Sequence, residues 1–183
     1  MLRIERDGAV ATIVLARPAR FNALTSELRR ALTAALGALA ADADVRAAVL
    51  AGEGRAFCAG QDLDEVPGDV DLGHLLEEEY EPMVRALAAL PVPLVAAING
   101  PAAGAGLGLA LAADIRVMAE DAFLSAAFAG IGLVPDSGVS RLLVDAVGHG
   151  RAAEIALTGR RVPAAEALAL GLVAQVVPTA EVR

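Results

Sequence analysis

The stretch "GIGLVPDSG", residues 130–138, sets a single acid, Asp136, behind a proline in an otherwise apolar run. A carboxylate held among Ile131, Leu133 and Val134 loses hydration. Its pKa then rises toward neutrality, which suits a general base. Asp136 and Ser137 also precede a helical run, where such residues cap helix ends, so residue type leaves both roles open. Two other segments offer main-chain chemistry. In "NGPAAGAGLGLALAADI", residues 99–115, glycines and alanines open a helix whose first-turn amides, at Ala105 and Gly106, lack partners inside it. In "RAFCAGQDL", residues 55–63, Cys58, Ala59 and Gly60 leave amides unshielded by bulk. Each loop follows an apolar, strand-like run, so the two could converge on one oxygen. Fixed N–H donors facing a developing oxyanion contribute about 3 kcal/mol each. The alternative for the glycine loop is close packing of a helix on a sheet.

Several other chemistries are excluded. Gly104, Gly106 and Gly108 miss the dinucleotide spacing by one residue, and no Gly-Lys-Ser/Thr follows. All 15 basic residues are arginine, which removes lysine Schiff-base chemistry as well. A lone cysteine, Cys58, allows neither an internal disulfide nor a multi-cysteine zinc site, and reads best as a small buried hydrophobe. His74 and His149 stand in unrelated contexts and suggest surface or helix-end residues. A net charge of −8 argues against a nucleic-acid partner. No apolar run approaches the ~20 residues of a membrane span, and "MLRIERDG" is too charged for a signal peptide. These features predict one cytoplasmic domain over residues 1–183.

The elements that must position these residues alternate. "LRIER" and "AVATIVLA" predict a hairpin turning at residues 7–8. Leu28, Leu32, Leu36 and Leu39 mark an amphipathic helix over about 27–41, opened by Ser26. Strands are expected at 46–52, 94–98, 114–119, 122–125 and 172–177. Helices are expected at 72–90, 105–112, 138–147, 151–157 and 163–170, and residues 53–71 form a long polar connection. Such alternation predicts an α/β fold with mostly parallel sheets.

Five segments in this order, "RPARFNALT", "GRAFCAGQDL", "PVPLVAAINGPAAGAGLGLALAADIRV", "GLVPDSGVSRLL" and "LTGRRVPAAEALALGLVAQVV", resemble the enoyl-CoA hydratase/isomerase (crotonase) superfamily. The resemblance implies a spiral of ββα units, assembled as trimers or pairs of trimers, with the C-terminal helical segment shortened or missing after "LVAQVV". It implies an acyl-CoA substrate whose coenzyme A belongs to the substrate, with no separate cofactor and no metal. The thioester carbonyl would lie on the amides of Ala59 and Ala105. Hydration in this family uses two glutamates, whose matching positions hold Gly108 and Phe128, so simple hydration is not expected.

An aspartate after "LVP" resembles the family's double-bond isomerases, and most closely the bacterial phenylacetate-degradation isomerases of ring-epoxide acyl-CoA. Asp136 would then move a proton from the carbon beside the thioester to one two carbons away. Asp62 is expected to order the oxyanion loop or to meet coenzyme A with Gln61 and Leu63. Asp64 and Glu65 read as solvated. Arg20 reads as a contact to a coenzyme A phosphate or as a surface arginine. Ala23, Gly60, Gly104, Gly106 and Val134 are expected to bound the substrate. Glu77, Glu78 and Glu79 read as a helix face, and the resemblance adds Tyr80 and Met83 as pocket lining. Two rival readings stand beside isomerisation. One is another reaction of the family, thioester hydrolysis or an atypical hydration, and the other is a non-catalytic acyl-CoA-binding subunit.

Overall fold

Alternating residues on "LRIERD" and "VATIVL" form an antiparallel hairpin of β1 (Leu2–Asp7) and β2 (Val10–Leu15). The computed structural model describes residues 1–65 and 71–182. Helix α1 (Ser26–Ala41) follows, with Leu28, Leu32, Leu36 and Leu39 all buried. Its N-cap is Thr25, whose hydroxyl accepts from the Leu28 N–H at 3.2 Å, so Ser26 is already inside the helix. Strand β3 (Ala47–Gly52) is next. The expected connection at 53–71 includes residues 66–70, which lie outside the described residues. The helix foreseen at 72–90 is three pieces: α2 (Leu72–Leu75), a π-helical turn over Leu76–Tyr80, and α3 (Glu81–Ala88).

Strand β4 (Leu94–Ile98) runs into the glycine loop, where β5 (Ala102–Ala103) precedes α4 (Ala105–Leu111). Then come β6 (Ile115–Ala119), β7 (Phe123–Ser125) and α5 (Val139–Thr158). The two helices expected at 138–147 and 151–157 are the two arms of α5, which breaks at Gly148 (φ 74°, ψ 163°). The segment foreseen as a helix from 163 starts with a strand, β8 (Arg161–Pro163), before α6 (Ala164–Ala169). Of the terminal strand expected at 172–177, only β9 (Gln175–Val177) pairs.

The larger sheet has the order β1-β2-β3-β4-β6-β9 and is parallel throughout after the hairpin. Ile13, Leu50, Ala96 and Arg116 stand in register across it. The near-continuous apolar runs "AAVLAG" and "LVAAI" are what interior parallel strands require. A smaller sheet, β5-β7-β8, pairs the glycine loop with β7 in parallel. This mostly parallel α/β architecture is the one the alternation of elements predicts. No helix among the described residues is long and apolar enough to cross a membrane.

Candidate active site

The two small-residue loops lie side by side. Cys58 forms a parallel bridge to Ala102, with the Cys58 N–H donating to the Pro101 carbonyl at 3.2 Å and the Ala103 N–H to the Cys58 carbonyl at 3.0 Å. Two asparagines hold the approach to the first loop. Buried Asn22 donates to the carbonyls of Glu53 (3.0 Å) and Ala56 (2.8 Å), and Asn99 donates to the Gly54 carbonyl at 2.9 Å. Gly104 has φ 53°, which favours glycine, and this turn starts α4 with the Ala105 N–H at its first position.

The Ala59 amide is not available as an oxyanion donor, because its N–H donates to the Phe21 carbonyl at 3.0 Å. The expectation for that residue is therefore corrected. The free donor lies two residues on. Leu24 bridges Gln61 in parallel: the Leu24 N–H donates to the Gly60 carbonyl at 2.7 Å, and the Asp62 N–H donates to the Leu24 carbonyl at 3.0 Å. In this pattern the N–H of the bridged residue faces away from the partner strand. Among the described residues, the main-chain N–H groups of Gln61 and Ala105 donate to no acceptor. Gly60 sits against Ala105: a Cβ there would lie 3.2 Å from the Ala105 nitrogen and 2.8 Å from the Ala103 oxygen. Any side chain at 60 would fill the space before that amide. Gly106, by contrast, packs its α-carbon on the Cys58 backbone, as the close-packing alternative expects.

The Gln61 side chain is locked inward. Its Oε1 accepts from Tyr80 Oη (2.6 Å) and Arg29 Nη1 (2.6 Å), and its Nε2 donates to the Asp62 carbonyl (2.8 Å). Arg29 is 1 % exposed, a position the leucine stripe of α1 did not reveal. It donates to both the Leu24 carbonyl and Glu79, and lies over the Tyr80 ring at 4.6 Å. Glu79 is thus no solvated helix face. Burial pushes its carboxyl up, but bonds from Arg29, Ser26 and Arg30 outweigh this and hold it below its ordinary value.

Asp136 lines a cavity of 390 Å³ together with Leu76, Tyr80, Val84, Ser137 and Gly138. Glu77, Glu81 and Arg85 are exposed at its edge, and Arg85 is bound to Glu81 Oε1. Burial raises the Asp136 carboxyl above its ordinary value, and a 2.8 Å bond from Ser137 Oγ opposes this in part. The capping alternative fails: α5 is capped by Gly138 without any side-chain bond. The source of the burial also differs from expectation. Ile131, Leu133 and Val134 are exposed, Val134 at 81 %, and the apolar wall comes from Leu76, Tyr80 and Val84.

The remaining expected residues are placed as follows. Asp62 is buried between Arg17 Nη2 (2.9 Å) and Arg20 Nη2 (3.3 Å); burial raises its carboxyl, and these bonds with the Asp64 N–H outweigh that to lower it. Arg20 also pairs with Asp64, so Asp64 is exposed but not free. Glu65 accepts from the Ser26 N–H at 2.8 Å at the start of α1, so it too is engaged. Ala23 and Met83 are buried, whereas Leu63 is 62 % exposed. Cys58 is fully buried, and burial pushes its thiol up to about 12 despite the facing Gly60 N–H. Among the described residues no group of three or more His, Cys, Asp or Glu could hold a metal ion.

Residues 5–183 match the family model for enoyl-CoA hydratase/isomerase. A Rhodobacter capsulatus protein named "Probable enoyl-CoA hydratase" is 46 % identical over 178 residues, covering 97 % of this chain and 68 % of that protein. The chain belongs to the enoyl-CoA hydratase/isomerase family. The 1,2-epoxyphenylacetyl-CoA isomerase of Escherichia coli is 42 % identical over 176 residues, or 93 % of this chain and 67 % of that one. The crystal structure of the Bacillus anthracis enoyl-CoA hydratase superposes with a TM-score of 0.95 at 35 % identity, over 99 % of this chain and 71 % of that chain. The fold is therefore the crotonase fold. Within this family member, Gly108 packs against Ser137, where a Cβ would lie 2.6 Å from the Ser137 oxygen, and Phe128 is buried.

Proposed function

We propose that the chain is an acyl-CoA double-bond isomerase in which Asp136 carries the proton and the N–H groups of Gln61 and Ala105 hold the thioester oxygen. The observation that carries this reading is the half-buried Asp136 carboxylate on the cavity, whose side chain caps no helix and whose burial raises its pKa. Asp136 takes a proton from the carbon beside the thioester of a 3-enoyl-CoA. The electron pair left behind delocalises onto the thioester oxygen, which the two amides hold as a dienolate. The now neutral Asp136 returns the proton two carbons away, giving the 2-enoyl-CoA. Nothing is oxidised, reduced or added, so the step calls for no redox cofactor, metal or water. Two fixed donors at about 3 kcal/mol each would remove a large part of the barrier to the enolate.

The name of the Escherichia coli relative extends this reading to ring-epoxide acyl-CoA substrates. Leu76, Tyr80 and Val84 offer an apolar wall for such an acyl group. Arg20, held by Asp62 and Asp64, serves in this reading to order the loop rather than to bind phosphate. Leu63 and Val134, both exposed, remain available to the coenzyme A portion. A second reading, hydration, is favoured by the name of the Rhodobacter capsulatus relative. Gly108 and Phe128 weigh against it, since neither can activate water or protonate carbon.

The test is product analysis with 3-enoyl-CoA and 2-enoyl-CoA in buffer, for the wild type and Asp136→Asn. A double-bond shift without gain of water, slowed about 10²–10⁴-fold in Asp136→Asn, is expected. Wild-type formation of 3-hydroxyacyl-CoA or free coenzyme A would replace isomerisation with hydration or hydrolysis. Isomerisation that persists unchanged in Asp136→Asn would remove the proton-carrying role.

A further inference from the structure

We infer that Arg29 is a positioning residue that fixes the Gln61 turn, and with it one donor of the amide pair, against the helix segment bearing Glu79 and Tyr80. The inference rests on the amide pair proposed above for its catalytic consequence, though the positioning of the turn stands on geometry alone. All the N–H groups of this guanidinium are engaged. Nε and Nη2 meet Glu79 Oε2 at 2.9 and 2.5 Å, and Nη2 also meets Ser26 Oγ at 3.0 Å. Nη1 reaches the Leu24 carbonyl at 3.0 Å and Gln61 Oε1 at 2.6 Å, with Tyr80 Oη at 3.4 Å.

Leu24 is the residue whose bridge turns the Gln61 N–H outward, and Gln61 is the donor itself. One side chain therefore grips both partners of that bridge. Its other end grips the π-helical turn, which ends at Tyr80 on the cavity wall facing Asp136. π-Turns recur at functional sites, and this one presents two successive residues, Glu79 and Tyr80, to the same guanidinium.

A purely structural role is the poorer explanation. Removing a guanidinium and a carboxylate from water carries a large desolvation cost, and apolar replacements of both are often neutral or stabilising. Leu28 and Leu32 on the same helix are buried without charge. What an apolar pair cannot do is bond the Leu24 carbonyl and Gln61 Oε1 at once.

The experiment compares wild type with Arg29→Met/Glu79→Leu, which leaves no unpaired buried charge, and with Tyr80→Phe, which removes one bond to Gln61 and keeps the ring. Amide hydrogen exchange is read without ligand, and kcat and KM are read with 3-enoyl-CoA. The double variant is expected to fold with a thermal midpoint near wild type. Exchange at the Leu24 and Asp62 amides should rise about tenfold or more, while the β3 amides keep their wild-type rates. Turnover should fall about tenfold in kcat with little change in KM. Tyr80→Phe should move the same two amides in the same direction by about threefold, which keeps the test open should the double variant not fold. Unchanged exchange at Leu24 and Asp62, or a rise shared equally by β3, overturns the inference. If those amides do loosen but the wild type never converts 3-enoyl-CoA, the isomerase reading fails and the positioning of the turn stands.

Discussion

A carboxylate against an apolar wall makes pH the sharpest probe of Asp136. Its folded-state pKa lies above the ordinary value, and a base must be ionised to act. In the proposed reaction the acid limb of kcat/KM is therefore expected to lie higher than an ordinary aspartate would place it, and to be absent from any residual activity of Asp136→Asn. Linkage gives a second sign. The stability contributed by a group with a raised folded pKa is fully present below its unfolded pKa and is lost as pH rises through the folded value. Asp136→Asn should accordingly be at least as stable as wild type at neutral pH by urea unfolding, while losing turnover. The apolar setting of this acid was legible in the sequence, but its source was not. Leu76, Tyr80 and Val84 arrive from a helix far back in the chain, while the neighbours Leu133 and Val134 face outward. The amide donors divide likewise. Small residues mark the loops, yet which N–H is free depends on the pairing of Leu24 with Gln61, and that is a matter of register.

At the scale of elements, the long periodic signals were readable, and among the short strands β7 was but β5 and β8 were not. Helix α1 and strands β3 and β4 follow from their apolar spacing. Strands β5 and β8 span two and three residues inside segments of glycine-loop and helical character, and each exists through its pairing with β7. Arg29 escaped notice for another reason: it sits beside the leucine stripe, and its partners Glu79 and Gln61 come from distant parts of the chain. Helix α4 is packed by glycine contact, which yields a prediction. A side chain at 108 must displace the Ser137 backbone, so Gly108→Glu should destabilise by about 1–3 kcal/mol or more and gain no hydration. Thermal unfolding and an assay for 3-hydroxyacyl-CoA check both halves; appearance of that product would mean the loop yields more readily than its packing allows.

For the whole molecule, the family was legible because five segments occur in a fixed order across the chain, and the mostly parallel fold because strands and helices alternate. Among the groups that shape its response to acid are buried Asp62 and half-buried Glu79. Arginine partners hold both below their ordinary values despite burial. Groups of that kind stabilise above the unfolded-state carboxylate pKa, about 4. The stability they confer is lost as pH falls through their lower folded values. Unfolding free energy should therefore drop on acidification below about pH 4. Asp62→Asn should be less stable at neutral pH and show a shallower acid slope, measured by urea unfolding from neutral to acid pH.

In the proposed reaction the electron sink is made of peptide groups on a turn that Gly60 and the anchored Gln61 side chain must keep in shape, whereas the proposed proton carrier is a single side chain brought by a different stretch of chain. New reactivity could then be grafted by exchanging acids around an unchanged electron sink, which is a reason to expect redesign to succeed at 136 sooner than at the turn that Leu24 holds.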